Sequence, residues 1–154
     1  MGLVHSTIDL SVDASTAFRI ATSVDAFPAF MPDVKSVRVL ERRDDGYARV
    51  EWVGHVSLGS IDRDIKWVED EWWDAETLKC KFKLVEGDYK KYSGTWDISP
   101  TDRGSRIILT VDFDLGLPLI GPLINKLLDK IMKDNLDGML KAIKIQAEAA
   151  RKNI

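Results

Sequence analysis

The sequence predicts an α+β fold in which a seven-stranded, curved antiparallel sheet wraps around a long C-terminal helix, with two short helices between strands 1 and 2. Two patterns and one constraint carry this. Apolar residues recur at helical spacing from Leu123 to Ile143, and from Val34 to Phe113 the period changes to two. An antiparallel sheet with one apolar face needs a cover, and the final helix is the one segment long enough to supply it.

Taken in order, Val4, Ser6, Ile8, Leu10 and Val12 alternate as one face of a first strand. Asp13 stands at an N-cap position before Ala14, Ala17, Phe18 and Ala21, a short apolar helix face, and Asp25 caps a second helix through Phe30 that Pro32 ends. Asp44-Asp45-Gly46 is a hairpin signal, because glycine accepts the positive φ that tight turns demand. The inward rows that follow are Ala48, Val50, Trp52, Gly54, Val56; Ile61, Arg63, Ile65, Trp67; Leu78, Cys80, Phe82, Leu84; Tyr92, Gly94, Trp96, Ile98; and Ile107, Leu109, Val111, Phe113. Pro122 presets φ at the start of the last helix, which runs to about Arg151, roughly 45 Å. Asn135 borders its apolar stripe, and Gly138 interrupts it at a cost of about 1 kcal/mol against alanine. Together they suggest a helix that faces a cavity with Asn135 and approaches or bends at Gly138.

A chain of 154 residues is expected to form one domain, residues 1–154, with a substantial core. A formal charge of -3, with basic and acidic residues interleaved, gives no reason to expect nucleic acid as a partner. One cysteine, Cys80, excludes an intramolecular disulfide, and with no leader pattern and no long apolar run the expectation is a cytoplasmic protein.

Chemical motifs are sparse. His5 and His55 lie far apart, and no cluster has metal-ligand spacing. The acids Asp62, Asp64 and Glu69-Asp70-Glu71 read as a solvated face, and Cys80 reads as core. No glycine-rich loop opens a helix, so neither a nucleotide, another cofactor nor a metal is expected. What stands out is the aromatic content of the inward rows. Trp52, Trp67, Phe82, Tyr92, Trp96 and Phe113, with Met132 and Met139 from the helix, have the composition of an apolar ligand pocket. Arg63, Tyr92 and Asn135 would orient a polar end of such a ligand. Arg63 has a second reading, as a strand-end residue that reaches solvent.

The segment Val12–Arg42, with Phe27, Pro28, Phe30 and Pro32, resembles the opening of the polyketide cyclase/dehydrase and coenzyme Q-binding START-like proteins. Tyr92–Pro100 is similar to their Gly-x-Trp segment, here Gly94 and Trp96, and Val111–Ile124 to their last strand and helix entry. The resemblance spans nearly the whole chain and implies the helix-grip fold of the START and birch-pollen-allergen superfamily. It also implies a hydrophobic cavity between sheet and helix for a lipid, isoprenoid or polyketide-like ligand, with Phe27, Phe30 and Met31 as a gate at its mouth.

Three functions stay open on the sequence. The first is binding or transport of an apolar small molecule, with no catalysis or only weak catalysis. The second is a polyketide cyclase or dehydratase, with Arg63 stabilising an enolate but no visible general base. The third is a domain that docks on a protein or transiently on a membrane surface, through Trp72-Trp73 and the lysine-bearing helix face. Oligomeric state is not legible.

Overall fold

The computed structural model describes residues 2–23, 34–58, 61–116 and 121–152. Its elements are β1 (Leu3–Leu10), α1 (Ala14–Thr22), β2 (Val34–Arg42), β3 (Tyr47–Leu58), β4 (Ile61–Asp74), β5 (Lys79–Gly87), β6 (Lys91–Thr101), β7 (Gly104–Asp114) and α2 (Pro122–Lys152). The strands form one antiparallel sheet in the order β1-β7-β6-β5-β4-β3-β2, so the first strand closes against the last and β1 and β2 are the edges. This is the seven-stranded sheet and long terminal helix that the periodicities predict. The expected second short helix, with Phe27, Phe30 and Met31, lies outside the described residues.

Local chemistry sets several boundaries. The Asp13 carboxylate accepts the Thr16 backbone N–H at 3.1 Å, which caps α1 and leaves Ala14, Ala17 and Ala21 buried on its inner face. Gly46, at φ 96°, turns β2 into β3, and its carbonyl accepts the Trp73 N–H at 2.9 Å. A Cβ there would collide with the Trp73 carbonyl. Gly94 has a different reason. Its backbone lies so close to β7 that a Cβ would run into the Thr110 carbonyl and the Phe82 ring, which explains the glycine of the Gly-x-Trp segment.

The inward rows pack as the alternation requires. Val50, Ile107 and Val111 are fully buried, and Leu109, Phe113 and Cys80 nearly so. On the outer face Arg49 grips Asp70 with two hydrogen bonds of 2.8 and 3.1 Å, and the Tyr47 hydroxyl donates to the same carboxylate at 2.7 Å.

Helix α2 does two jobs along its length. Toward its C-terminal end Leu140, Ile143 and Ala147 are completely buried, and the Ser6 hydroxyl of β1 donates to Asp137. Nearer its start Leu128, Ile131, Met132, Asn135, Leu136 and Met139 face open space instead. Leu123, expected on the apolar stripe, is 69% exposed. Gly138 is exposed at the rim, and a Cβ there would meet nothing within 4 Å, so no close backbone approach requires a glycine. Gly138→Ala should therefore raise stability by about 0.5–1 kcal/mol in urea denaturation. Leu140→Ala should cost about 2–5 kcal/mol by the same measurement, and Leu123→Ala less than about 0.5 kcal/mol.

Candidate functional site

Between the concave face of the sheet and the first half of α2 lies a cavity of about 130 Å³. Its floor is aromatic. Trp52 of β3 and Trp67 of β4, directly paired in the register, stack with ring centres 5.9 Å apart and planes 2° from parallel. Tyr92 of β6 touches Trp67 at 5.1 Å and Phe82 at 5.6 Å, and Tyr89 lies 4.6 Å from Tyr92 and 5.3 Å from Trp67. The remaining wall is aliphatic, from Leu109, Val111 and the α2 residues.

Two acids line this apolar space. Glu69 and Glu71 of β4 are 4% and 2% exposed. They are not the solvated face that an acidic run suggests: Asp70 alone of the three points outward, to Arg49. The reason is the pleat. Residues two apart share a face, so the row that holds Ile65 and Trp67 continues through Glu69, Glu71 and Trp73. The tryptophans make that row tolerable. The Trp67 indole N–H donates to Glu69 at 2.8 Å, and the Trp73 indole N–H donates to Glu71 at 2.9 Å. Each carboxyl is thus held from the flank by an indole two residues away on its own strand.

Burial raises the pKa of Glu69 well above the usual carboxylate range, and the neighbouring Glu71 charge and a hydrogen bond to Glu71 push the same way. Burial also raises Glu71, while hydrogen bonds from Glu69 and Trp73 oppose the rise. Two carboxylates in contact in a low-dielectric space cannot both ionise, so the pair shares a proton that Glu69 donates to Glu71. Burial likewise lifts Tyr92 well above its ordinary range and raises Tyr89, with the Glu69 charge second in both cases. Cys80 is raised by burial first and then by Glu71 and Glu69, which makes it an inert thiol.

Of the expected site residues, Trp52, Trp67, Phe82, Tyr92, Trp96, Phe113, Met132, Asn135 and Met139 all line this cavity. Arg63 does not: it is exposed near the start of β4, opposite Val56, so the strand ends before its guanidinium can reach the interior. The gate residues Phe27, Phe30 and Met31 lie outside the described residues. Glu69, Glu71 and Tyr89 are additions. The two acids were recoverable from strict alternation carried past Trp67, whereas Tyr89 follows a turn and has no periodic signal. His55 stands at the mouth between Asp64 at 2.9 Å and Asp62 at 2.7 Å, and these hydrogen bonds raise its pKa. No group of three or more metal-ligating side chains forms among the described residues.

The profile of the family described as polyketide cyclase / dehydrase and lipid transport matches residues 10–140. The chain belongs to this family. Among solved structures, TTHA0849 from Thermus thermophilus is 30% identical, with a TM-score of 0.88 over 96% of this chain and 98% of that one. The Zhui aromatase/cyclase from Streptomyces sp. R1128 (20% identity, TM-score 0.79, 95% and 93% covered) has the same fold. So does a START superfamily protein from Mycobacterium smegmatis (21%, 0.79, 97% and 99%). No curated protein matches the chain significantly. The polyketide cyclase / dehydrase and lipid transport family and its fold support hydrophobic-ligand binding or cyclase chemistry in general terms. Among the described residues no helix is long and apolar enough to cross a membrane.

The carboxylate pair leaves a pH signature. Because its folded pKa lies above the ordinary 4.5, Glu69 contributes stability that is complete below that value and lost as pH rises through the folded pKa. Glu69→Gln removes the loss. Relative to the parent, the variant should gain about 2–4 °C in Tm between about pH 5 and pH 8 in calorimetric scans, the shift that about 1 kcal/mol produces in a domain of this size.

Proposed function

We propose that this chain binds an apolar small molecule in the cavity between sheet and α2, as a carrier or presenter of a lipid, isoprenoid or polyketide-like compound. The supporting observation is the aromatic and aliphatic lining of a 130 Å³ space whose polar groups are Glu69 and Glu71 of β4, Tyr92 of β6 and the half-buried Tyr89 between β5 and β6. Burial at about 25 cal/mol per Å² drives uptake, and the few polar groups set orientation. Asn135, half-buried on α2, faces the ligand from the opposite wall. A lone buried thiol fits a reducing compartment such as the cytoplasm.

The buried pair favours one second reading, a dehydratase or cyclase. Arg63 is too far out to take part, but Glu71 as a carboxylate could remove a proton α to a carbonyl while Glu69 as an acid protonates a β-hydroxyl. Water leaves and a C=C bond forms, with the pair exchanging one proton for another. The docking reading has less support. Trp73 is buried and only Trp72 of the pair is exposed, at 47%, while Lys130 and Lys133 of α2 are engaged by Asp134 and Asp137.

Uptake of an apolar naphthalene-type dye should quench the fluorescence of the Trp52–Trp67 stack, and organic extracts of the purified protein should contain a hydrophobic compound by mass spectrometry. Met139→Trp, which fills the α2 side of the cavity, should weaken dye binding about tenfold or more while the chain stays folded. Absence of both dye uptake and extractable compound would refute the binding function.

A further inference from the structure

The cavity is small for the guests that its lining favours. Its volume of about 130 Å³ is that of a single-ring site, since a designed apolar cavity of about 150 Å³ takes up benzene. Pockets for larger organic ligands start at about 300 Å³. A lipid, isoprenoid or polyketide-like compound therefore needs a wall that gives way. Protein interiors are close-packed, so the room has to come from a side chain that leaves its place.

The lining rings are not equal in this respect. Trp52, Trp67, Phe82, Tyr92, Trp96 and Phe113 stand on strands, and each is buried. Moving any of them means breaking into the core. Tyr89 alone of the described lining Trp, Tyr and Phe rings belongs to the turn between β5 and β6, and it is half-buried, at the boundary between cavity and solvent. The main chain on both sides of it is fastened. The Asp88 N–H donates to the Lys66 carbonyl at 2.8 Å, the Lys66 N–H donates to the Asp88 carboxylate at 2.8 Å, and the Lys90 N–H donates to the Asp114 carbonyl at 2.7 Å. Gly87, at φ 139°, presses so closely on Lys66 and Trp67 that a Cβ there would collide with them. With the turn pinned, the freedom left at this point is rotation of the Tyr89 side chain. Its ring rests on other rings: Tyr92 at 4.6 Å, and Trp67 and Phe113 edge-on at 5.3 and 6.4 Å. Turned outward, it exchanges these contacts for those of a guest and puts its hydroxyl in water.

We propose that Tyr89 is the specificity-determining residue of this cavity: guests of one ring bind beneath its side chain, and larger apolar guests bind only when that side chain turns out to solvent. This deepens the apolar-ligand reading above and rests on it. The apparent affinity for a large guest is then reduced by the fraction of molecules in which the ring is out, and removing the ring lifts that reduction. A small guest has the opposite response, because it loses a wall of its site.

Titration of two uncharged probes tests this, 2-phenylethanol for one ring and N-phenyl-1-naphthylamine for the larger guest. In Tyr89→Ala the naphthylamine should bind about tenfold or more tightly than in wild type, the gain expected if the ring is out in about a tenth of the molecules or fewer. The same variant should bind 2-phenylethanol about threefold or more weakly, through lost apolar contact. Tyr89→Phe keeps the ring and should not reproduce this crossing. Tyr89→Leu also removes the ring, should show the crossing, and carries the test if the alanine variant does not fold. Naphthylamine affinity that is unchanged or lower without the ring, or two probes that shift in the same direction, overturns the role of Tyr89 and leaves apolar binding standing. If wild type and variants refuse both probes, both readings fall.

Discussion

Leu140, Ile143 and Ala147 are completely buried where the second half of α2 meets the rest of the protein, and that gapless seating dictates where the first half of the helix must lie. A straight helix cannot follow a sheet that twists and curls beneath it. α2 lies along β1, with Asp129 beside Gly2, Asp137 bonded to Ser6 and Glu148 to Ser11, and the space between its residues 128–139 and the β3–β6 strands is the cavity. The Ser6–Asp137 hydrogen bond to β1 and the pairing of β1 with β7 hold the seated end in register with the sheet. Through this arrangement the stability of the core and the existence of a binding site follow from one packing relation.

The lining of that space is a compromise between packing and polarity. Large rings from β3, β4, β5 and β6, and Tyr89 between the last two, cover the floor, and their contacts at 4.6 to 5.9 Å keep the wall rigid enough to hold its shape. Into this wall the chain inserts two carboxyls at positions that an apolar residue would fill more cheaply. Each has an indole donor, and they share a proton, so the desolvation cost is reduced and not removed. A feature kept at the expense of stability is one that function has reason to hold. It equips the cavity for either of two tasks, holding a polar end of a guest or moving a proton on it.

The fold was legible in the sequence because both of its signals are local. Period two in Ala48–Val56, Cys80–Phe82 and Ile107–Phe113 marks inward rows that the structure buries, and the spacing of Leu128, Met132, Leu136, Leu140 and Ile143 marks the helix face that covers them. Turn chemistry placed the Gly46 hairpin, and the Gly94 position follows from the close approach of β7. The site was legible only in part. The aromatic members fell on predicted inward rows, but the acidic segment of β4 was misjudged because its composition, three acids in a row, outweighed its periodicity. Arg63 shows the opposite error, since it keeps the right period yet sits too near the strand end for period to matter.

By itself, then, the order of residues determined the elements, their faces and the element that covers the sheet, because those depend on contacts within a few residues or on hydrophobic pattern. Only the tertiary structure decided that a cavity opens between α2 and the β3–β6 strands, that Glu69 and Glu71 share it with Tyr89 and Tyr92, and that Arg63 does not. Those facts depend on twist, on the reach of each strand and on distances between segments far apart in the chain. A single sequence does not encode them as a local pattern, because they arise where the curvature of the whole sheet meets the straightness of one helix.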